Sequence, residues 1–197
     1  MVKALIVIDM FVKDIQGRFD EKELILNQIK LINKFREMHF PVIFTGAKFG
    51  TEPNPVYDKL WGAEYGDNSK VEEKALKIRH ENLAIIPEIL KIGCDKFVDK
   101  EMYSAFFNTD LEKYCKGKNI TEIYFAGVSG GCCVHYTAVD AMYRKIQPIM
   151  ITDATSSPDI ETHRDNIENF NVFIGPSMTT EEVIKSFMIT KTINSKN

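Results

Sequence analysis

Three residues follow apolar runs of the chain and carry side chains that can do chemistry together. Asp9 follows Ala4-Leu5-Ile6-Val7-Ile8, Lys100 follows Phe97-Val98-Asp99, and Cys133 comes just after Ile123 to Val128 and the turn Ser129-Gly130-Gly131. A cysteine in the first turn of a helix sits near unpaired N–H groups and the positive dipole end, which lowers its thiol pKa from about 8.5 toward neutrality. An adjacent acid can take the thiol proton and later hand it to a leaving nitrogen. A lysine holds that acid ionised and offsets developing negative charge. Gly130 and Gly131 let backbone N–H groups approach a substrate carbonyl, as acyl transfer requires. Asp9, Lys100 and Cys133 thus form a candidate triad without histidine. Singly, each has a plainer reading: a loop-capping Asp, a solvated Lys, a small buried Cys, a tight glycine turn.

The elements that must position these residues are legible as alternating patterns. Nearly continuous apolar runs of strand length recur at Ala4–Ile8, Pro41–Phe44, Lys96–Val98, Ile123–Ala126, Pro148–Ile151 and Asn171–Ile174, as suits strands covered on both faces. Between them lie helical patterns. The clearest is the stripe Leu24, Ile25, Gln28, Ile29, Ile32, Phe35 and Arg36, with others over Asn108–Gly117, Cys132–Arg144 and Thr179–Met188. The alternation predicts an α/β fold, a three-layer α/β/α sandwich on a mainly parallel sheet of about six strands. Ligands of such sheets lie beyond the carboxyl ends of the strands, where the three residues fall. A single domain over 1–190 is expected, with an irregular excursion over the active face at 46–82 and a polar tail at 191–197.

Composition removes several classes of function. With 25 Lys+Arg against 28 Asp+Glu, the net charge of −3 offers no footprint for nucleic acid. No apolar run approaches the roughly 18 residues of a membrane span. The N-terminal run reads as a buried strand rather than a secretory signal, so a cytoplasmic location is expected. Cys94, Cys115, Cys132 and Cys133 lack C-x-x-C spacing and are expected as reduced thiols. The glycines at 127, 130 and 131 complete neither phosphate-binding fingerprint.

Three blocks taken together resemble the isochorismatase-like cysteine hydrolase superfamily, which includes nicotinamidases and N-carbamoylsarcosine amidase-like enzymes. They are Leu5-Ile6-Val7-Ile8-Asp9-Met10, Lys100-Glu101-Met102-Tyr103-Ser104-Ala105-Phe106, and Gly127-Val128-Ser129-Gly130-Gly131-Cys132-Cys133-Val134 followed by Thr137-Ala138-Val139-Asp140-Ala141. The resemblance implies that Asp9 is the general acid/base, Lys100 the active-site lysine and Cys133 the nucleophile, with Cys132 its nearest competitor. It implies a cis peptide at Val128–Ser129 and an oxyanion hole from the N–H groups of Ser129 and Cys133. It also implies self-association as a dimer or tetramer.

The chain departs from the metal-dependent nicotinamidases, whose Asp-x-His pair is here replaced by Gly46 and Lys48. An ammonium must lose its proton to bind a metal, and His39, His80, His135 and His163 have no ligand spacing, so neither metal nor organic cofactor is expected. Phe11, Trp61, Tyr103 and Phe106 are candidate pocket walls. Lys48 and Arg18 are candidate partners for a substrate carboxylate. The expected activity is cysteine-dependent hydrolysis of a C–N bond in a small amide, N-carbamoyl or ureido substrate through a thioester. The alternatives are a nicotinamidase-type metal-assisted hydrolase, a catalytically silent binding or assembly member of the fold, and a redox or soft-metal role for the vicinal Cys132–Cys133 pair.

Overall fold

A computed structural model describes residues 1–47 and 84–194, with side chains through Met188. Trp61, Lys48, His80 and the 46–82 excursion from residue 48 onward lie outside the described residues. The described chain runs β1 (Val2–Ile8), α1 (Val12–Ile15), α2 (Glu21–Glu37), β2 (Val42–Ala47), α3 (Pro87–Ile92), β3 (Lys96–Lys100), α4 (Leu111–Gly117) and β4 (Ile120–Val128). A π-helical turn (Gly130–Val134) follows, then α5 (His135–Tyr143), β5 (Gln147–Ser156), α6 (Ile160–Phe173), β6 (Ser177–Met178) and α7 (Thr180–Asn194).

The six strands form one sheet in the order β3-β2-β1-β4-β5-β6, every pair parallel. The continuous apolar runs are explained by two cores, one on each face. Along β1, Leu5 and Val7 enter a core with Leu24, Leu31, Ile32 and Phe35 of α2, Ile89 of α3, and Val183 and Phe187 of α7. Ala4, Ile6 and Ile8 enter the other, with Leu111 and Cys115 of α4, Ala138 and Ala141 of α5, and Phe170 of α6. Alternate residues of one strand thus feed opposite layers, giving the expected α/β/α sandwich. No described helix is long and apolar enough to cross a membrane.

The sixth strand is not where the apolar pattern places it. Asn171–Phe173 closes α6, a helix capped at its start by Asp159, whose carboxylate accepts from the Thr162 N–H at 2.8 Å. Phe170 and Ile174, four residues apart, face the core, while Val172 and Phe173 are exposed. The strand is Ser177–Met178, after Gly175 and Pro176 stop the helix. The last helix also continues to Asn194, into the stretch read as tail.

Two local features shape the carboxyl edge. In β5 the register jumps from Phe125↔Met150 to Gly127↔Thr155, so a bulge turns Thr155, Ser156 and Ser157 toward the end of β4. The bulge is pinned from both layers: the amides of Asn27 and Gln28 donate to the carbonyls of Asp153 and Ala154, and His163 bonds the Thr152 carbonyl at 2.9 Å. At Gly127, φ is +110° and an added Cβ would fall 2.1 Å from the Ile8 carbonyl oxygen. Only glycine lets the ends of β1 and β4 close together just before Asp9.

Candidate active site

Asp9 is the first residue beyond β1, in the left-handed region at φ 49° and only 6% exposed. Its N–H donates to Thr45 Oγ1 at 3.1 Å, and that hydroxyl donates to Asp9 Oδ1 at 2.6 Å. Thr45, near the end of the adjacent β2, therefore fixes both backbone and carboxylate. Asp9 Oδ2 lies 2.6 Å from Lys100 Nζ.

Lys100 ends β3 and is 5% exposed. Its ammonium has three partners: Asp9 Oδ2, the Met102 carbonyl at 3.1 Å and Cys133 Sγ at 3.5 Å. Three donors meet three acceptors, the full capacity of the group. Burial works against the charge, but the Asp9 carboxylate and the Cys133 sulfur outweigh it and raise the pKa of the ammonium above its ordinary value. Lys100 is thus not a solvated surface charge. It holds Asp9 and Cys133 on one cation.

Cys133 lies in the π-helical turn rather than in the first turn of an α-helix, which begins only at His135. Gly131 gives this turn its shape, since a Cβ there would come within 2.5 Å of the Asn166 side chain on α6. Asn166 in turn donates to Ser157 Oγ at 3.0 Å. On the other side, Thr137 Oγ1 donates to the Cys133 carbonyl at 2.6 Å and accepts the Ala105 N–H at 3.1 Å, tying the turn to the segment after Lys100. The Val128–Ser129 peptide bond is cis.

The thiol departs from the expectation drawn from helix position. Its hydrogen bond with Cys132, burial and the Asp9 charge push Cys133 up, against the pull of Lys100. The neighbouring Cys132 is drawn down by the same bond and by Lys100, against burial. Two adjacent thiols sharing a hydrogen bond lose one proton far more readily than two. With a carboxylate already on Lys100, Cys133 rests as a thiol rather than an anion.

The remaining sequence candidates separate. Phe11, two residues past Asp9, donates its N–H to the Asp9 carbonyl at 2.8 Å and bridges Ile85, its ring buried outside both cores. Tyr103 follows Met102 and stacks on Tyr136 at 5.5 Å between centroids. Phe106 has its ring buried in the α4–α5–α6 core, with the Arg144 guanidinium 4.8 Å above it at the far end of α5 from Cys133. Sequence reasoning missed Thr45 and Tyr136. Thr45 carried a signal, a hydroxyl ending an apolar strand run; Tyr136 carried none. Gly46 provides no side-chain donor where nicotinamidases place a metal-binding Asp, and a Cβ there would meet the Phe97 ring at 2.8 Å. The residues described do not fit that metal site.

A family model described as the isochorismatase domain matches residues 3–182. The isochorismatase family protein YwoC of Bacillus subtilis (strain 168) is 27% identical over 182 residues, 92% of each chain. The ureidoacrylate amidohydrolase RutB of Acinetobacter baylyi is 27% identical over 104 residues, 52% of this chain and 42% of that one. Among solved structures, a cysteine hydrolase from Pseudomonas syringae pv. phaseolicola 1448A superposes with a TM-score of 0.79 at 21% identity, covering 93% of this chain and 91% of its own. N-carbamoylsarcosine amidase from Thermoplasma acidophilum superposes at 0.71 with 24% identity, covering 91% and 97%. With the domain match spanning nearly the whole chain, the protein belongs to the isochorismatase family of hydrolases.

Proposed function

We propose that the protein is a cysteine-dependent amidohydrolase that cleaves a C–N bond of a small amide, N-carbamoyl or ureido substrate through a thioester. The observation that carries this reading is the single ammonium shared by a carboxylate and a thiol, Lys100 on Asp9 Oδ2 at 2.6 Å and on Cys133 Sγ at 3.5 Å. The names of two similar proteins, an amidohydrolase and an amidase, agree with it.

The chemistry follows from where the protons rest. Cys133 starts as a thiol beside a carboxylate, so its attack on the substrate carbonyl carbon is coupled to proton transfer to Asp9. Lys100 keeps its charge throughout. As Asp9 is neutralised, the ammonium faces the sulfur and the negative charge growing on the substrate. The N–H groups of Ser129 and Cys133 are the proposed donors to the carbonyl oxygen. Asp9 then gives its proton to the leaving nitrogen, the C–N bond breaks, and the acyl group remains on Cys133 as a thioester. Asp9, again a carboxylate, takes a proton from water as it attacks, and the thiol is regenerated.

The test is ammonia release from a panel of small amides and ureides, with intact-protein mass spectrometry to trap the acyl group on Cys133. Cys133→Ala abolishes both signals while retaining the fold, and Cys132→Ala keeps them. Full turnover by Cys133→Ala refutes the assignment. The reading goes with a metal-free reaction, a cytoplasmic location and a homodimer or homotetramer. Chelator-sensitive turnover contradicts the first, and sedimentation as a monomer contradicts the last.

A further inference from the structure

The turn that carries Cys133 rests on a polar wall built by β5 and α6, and the glycines of the turn approach that wall more closely than a side chain permits. A Cβ on Gly130 would fall 2.9 Å from Ser157 Oγ and 3.4 Å from Thr155 Cγ2. On Gly131 it would fall 2.5 Å from Oδ1, 2.8 Å from Cγ and 2.8 Å from Nδ2 of Asn166. Three atoms of one amide at nearly equal distances from that point place the amide broadside over Gly131, where it fills the space of the missing side chain.

Hydrogen bonds fix the direction of this wall. His163 and Asn166 lie three residues apart on α6 and so share a face. His163 is buried, with Nε2 2.9 Å from the Thr152 carbonyl; a carbonyl only accepts, so in the neutral ring Nε2 carries the proton and Nδ1 is the acceptor. The buried Ser157 hydroxyl accepts from Asn166 Nδ2 at 3.0 Å and turns its own proton to His163 Nδ1 at 3.5 Å. The series Asn166, Ser157, His163 thus ends on the backbone of β5. The neighbouring Ser156 pairs in register with Val128 beside the cis peptide. Within the turn, Cys132 and Val134 on either side of Cys133 both donate their N–H to the Ser129 carbonyl, at 3.0 and 3.2 Å, so a shift of the glycines carries the sulfur with it.

We propose that Asn166 is a positioning residue for Cys133: its amide, held by Ser157 and through it by His163, fixes the Gly130–Gly131 turn and so keeps the sulfur on the Lys100 ammonium. Thr137 clamps the other side of the same turn through the Cys133 carbonyl. The sulfur stands 3.5 Å from Lys100 Nζ, and a displacement of about 1 Å parts the two, a misplacement that costs a reaction about 100-fold. The role of Cys133 as nucleophile rests on the amidohydrolase reading; the hold of Asn166 on the turn does not.

The experiment uses two readouts on the full chain: ammonia release from the small amides and ureides, and the rate at which iodoacetamide alkylates Cys133 at neutral pH, followed by peptide mapping. Asn166→Ala is expected to lower kcat by about 100-fold with KM within about threefold, since the substrate still binds while the sulfur is misplaced. It is expected to slow alkylation by about tenfold, because the thiolate is the reacting form and loses its cation. Ser157→Ala, which releases the Asn166 amide, moves both rates the same way by a smaller factor. Gly131→Ala alone pushes a methyl group into the amide and also lowers kcat. Combined with Asn166→Ala, that methyl takes the space the amide has left, and kcat is expected to return to within about tenfold of native and alkylation to within about threefold.

A role confined to stability lowers the urea midpoint of Asn166→Ala but leaves kcat and alkylation of the folded protein unchanged, and that result overturns the proposal. Losses that multiply in the double variant, with no rescue, overturn it as well. The two readings fail separately. Alkylation that depends on Asn166 and is rescued by Gly131→Ala, with no ammonia released by the native protein, sinks the amidohydrolase reading and keeps the positioning role. Turnover with neither rate dependent on Asn166 does the reverse.

Discussion

The ion pair between Asp9 and Lys100 can be tested without any substrate. At 2.6 Å, two unit charges at an effective dielectric of about 20 attract by about 6 kcal/mol. Burying each ion costs several kcal/mol, so the pair as a whole contributes little to stability, but removing one partner strands the other. Lys100→Met leaves a buried carboxylate whose remaining side-chain donor is Thr45, and should destabilise the fold by about 3–5 kcal/mol. Asp9→Asn leaves a buried ammonium on the Met102 carbonyl and the Cys133 sulfur, and should cost a similar amount. The double variant removes both charges together and should cost much less than the two singles combined, a coupling of about 2–4 kcal/mol. Equilibrium urea unfolding reads this directly. For a slope near 2 kcal/mol per molar, each single shifts the midpoint down by about 2 M, and the double by well under the total. The sign of the pH dependence follows from the raised Lys100 pKa: its contribution is fully present below the unfolded value of 10.5 and is lost only as pH rises beyond it. The gap between native and Lys100→Met proteins should therefore stay constant from about pH 6 to 9. Additivity of the two singles within about 0.5 kcal/mol would refute the buried pair.

Two further outcomes follow from backbone packing and from a thiol remote from the site. Gly127→Ala should destabilise the protein by about 3 kcal/mol or more and abolish ammonia release, since its Cβ falls 2.1 Å from the Ile8 carbonyl at φ +110°; a midpoint within about 0.5 M urea of the native protein contradicts it. Cys115, buried in the α4 core, has its thiol pushed up to about 12 from 9.0 by burial, then by Glu112. Above pH 9.0 the unfolded chain ionises this thiol while the folded chain does not, so stability falls by about 1.4 kcal/mol per pH unit until the folded value is reached. Cys115→Val should flatten that part of the urea midpoint profile, and an unchanged slope would show that the thiol is not the cause.

The sheet was legible because its strands are covered on both faces, and five of its six strands coincide with runs of apolar residues. The exception is instructive. Asn171-Val172-Phe173-Ile174 has a strand's composition, but a capped helix beginning at Asp159 runs through it, and Val172 and Phe173 are exposed rather than buried. The true sixth strand has two residues, too few to leave a pattern. The cluster of Asp9, Lys100 and Cys133 was legible for a related reason: Asp9 and Lys100 sit at the ends of apolar runs, at the carboxyl edge of the sheet. What sequence did not supply was the state of the sulfur. Position at a helix start argues for a low pKa, whereas the folded site adds burial, a vicinal thiol and a carboxylate, and these reverse the direction.

The sheet order explains why the middle member of the triad is a lysine. Asp9 leaves β1 and Lys100 leaves β3, with β2 between them. Neighbouring strands lie about 4.8 Å apart, so the two backbones are separated by about two such spacings. Only a long side chain spans that gap to a short carboxylate, and it must pass the end of the intervening strand. That end reads Thr45-Gly46-Ala47, with Ala47 paired in register to Lys100 and the Thr45 hydroxyl already committed to Asp9. Position 46 faces the other side of the sheet, where an added Cβ would meet the Phe97 ring and the Asp99 carboxylate, which alternate with Lys100 along β3. On the face that Lys100 crosses, the end of β2 therefore presents Thr45 and the small Ala47, and the ammonium reaches past them to Asp9 Oδ2 at 2.6 Å and Cys133 Sγ at 3.5 Å.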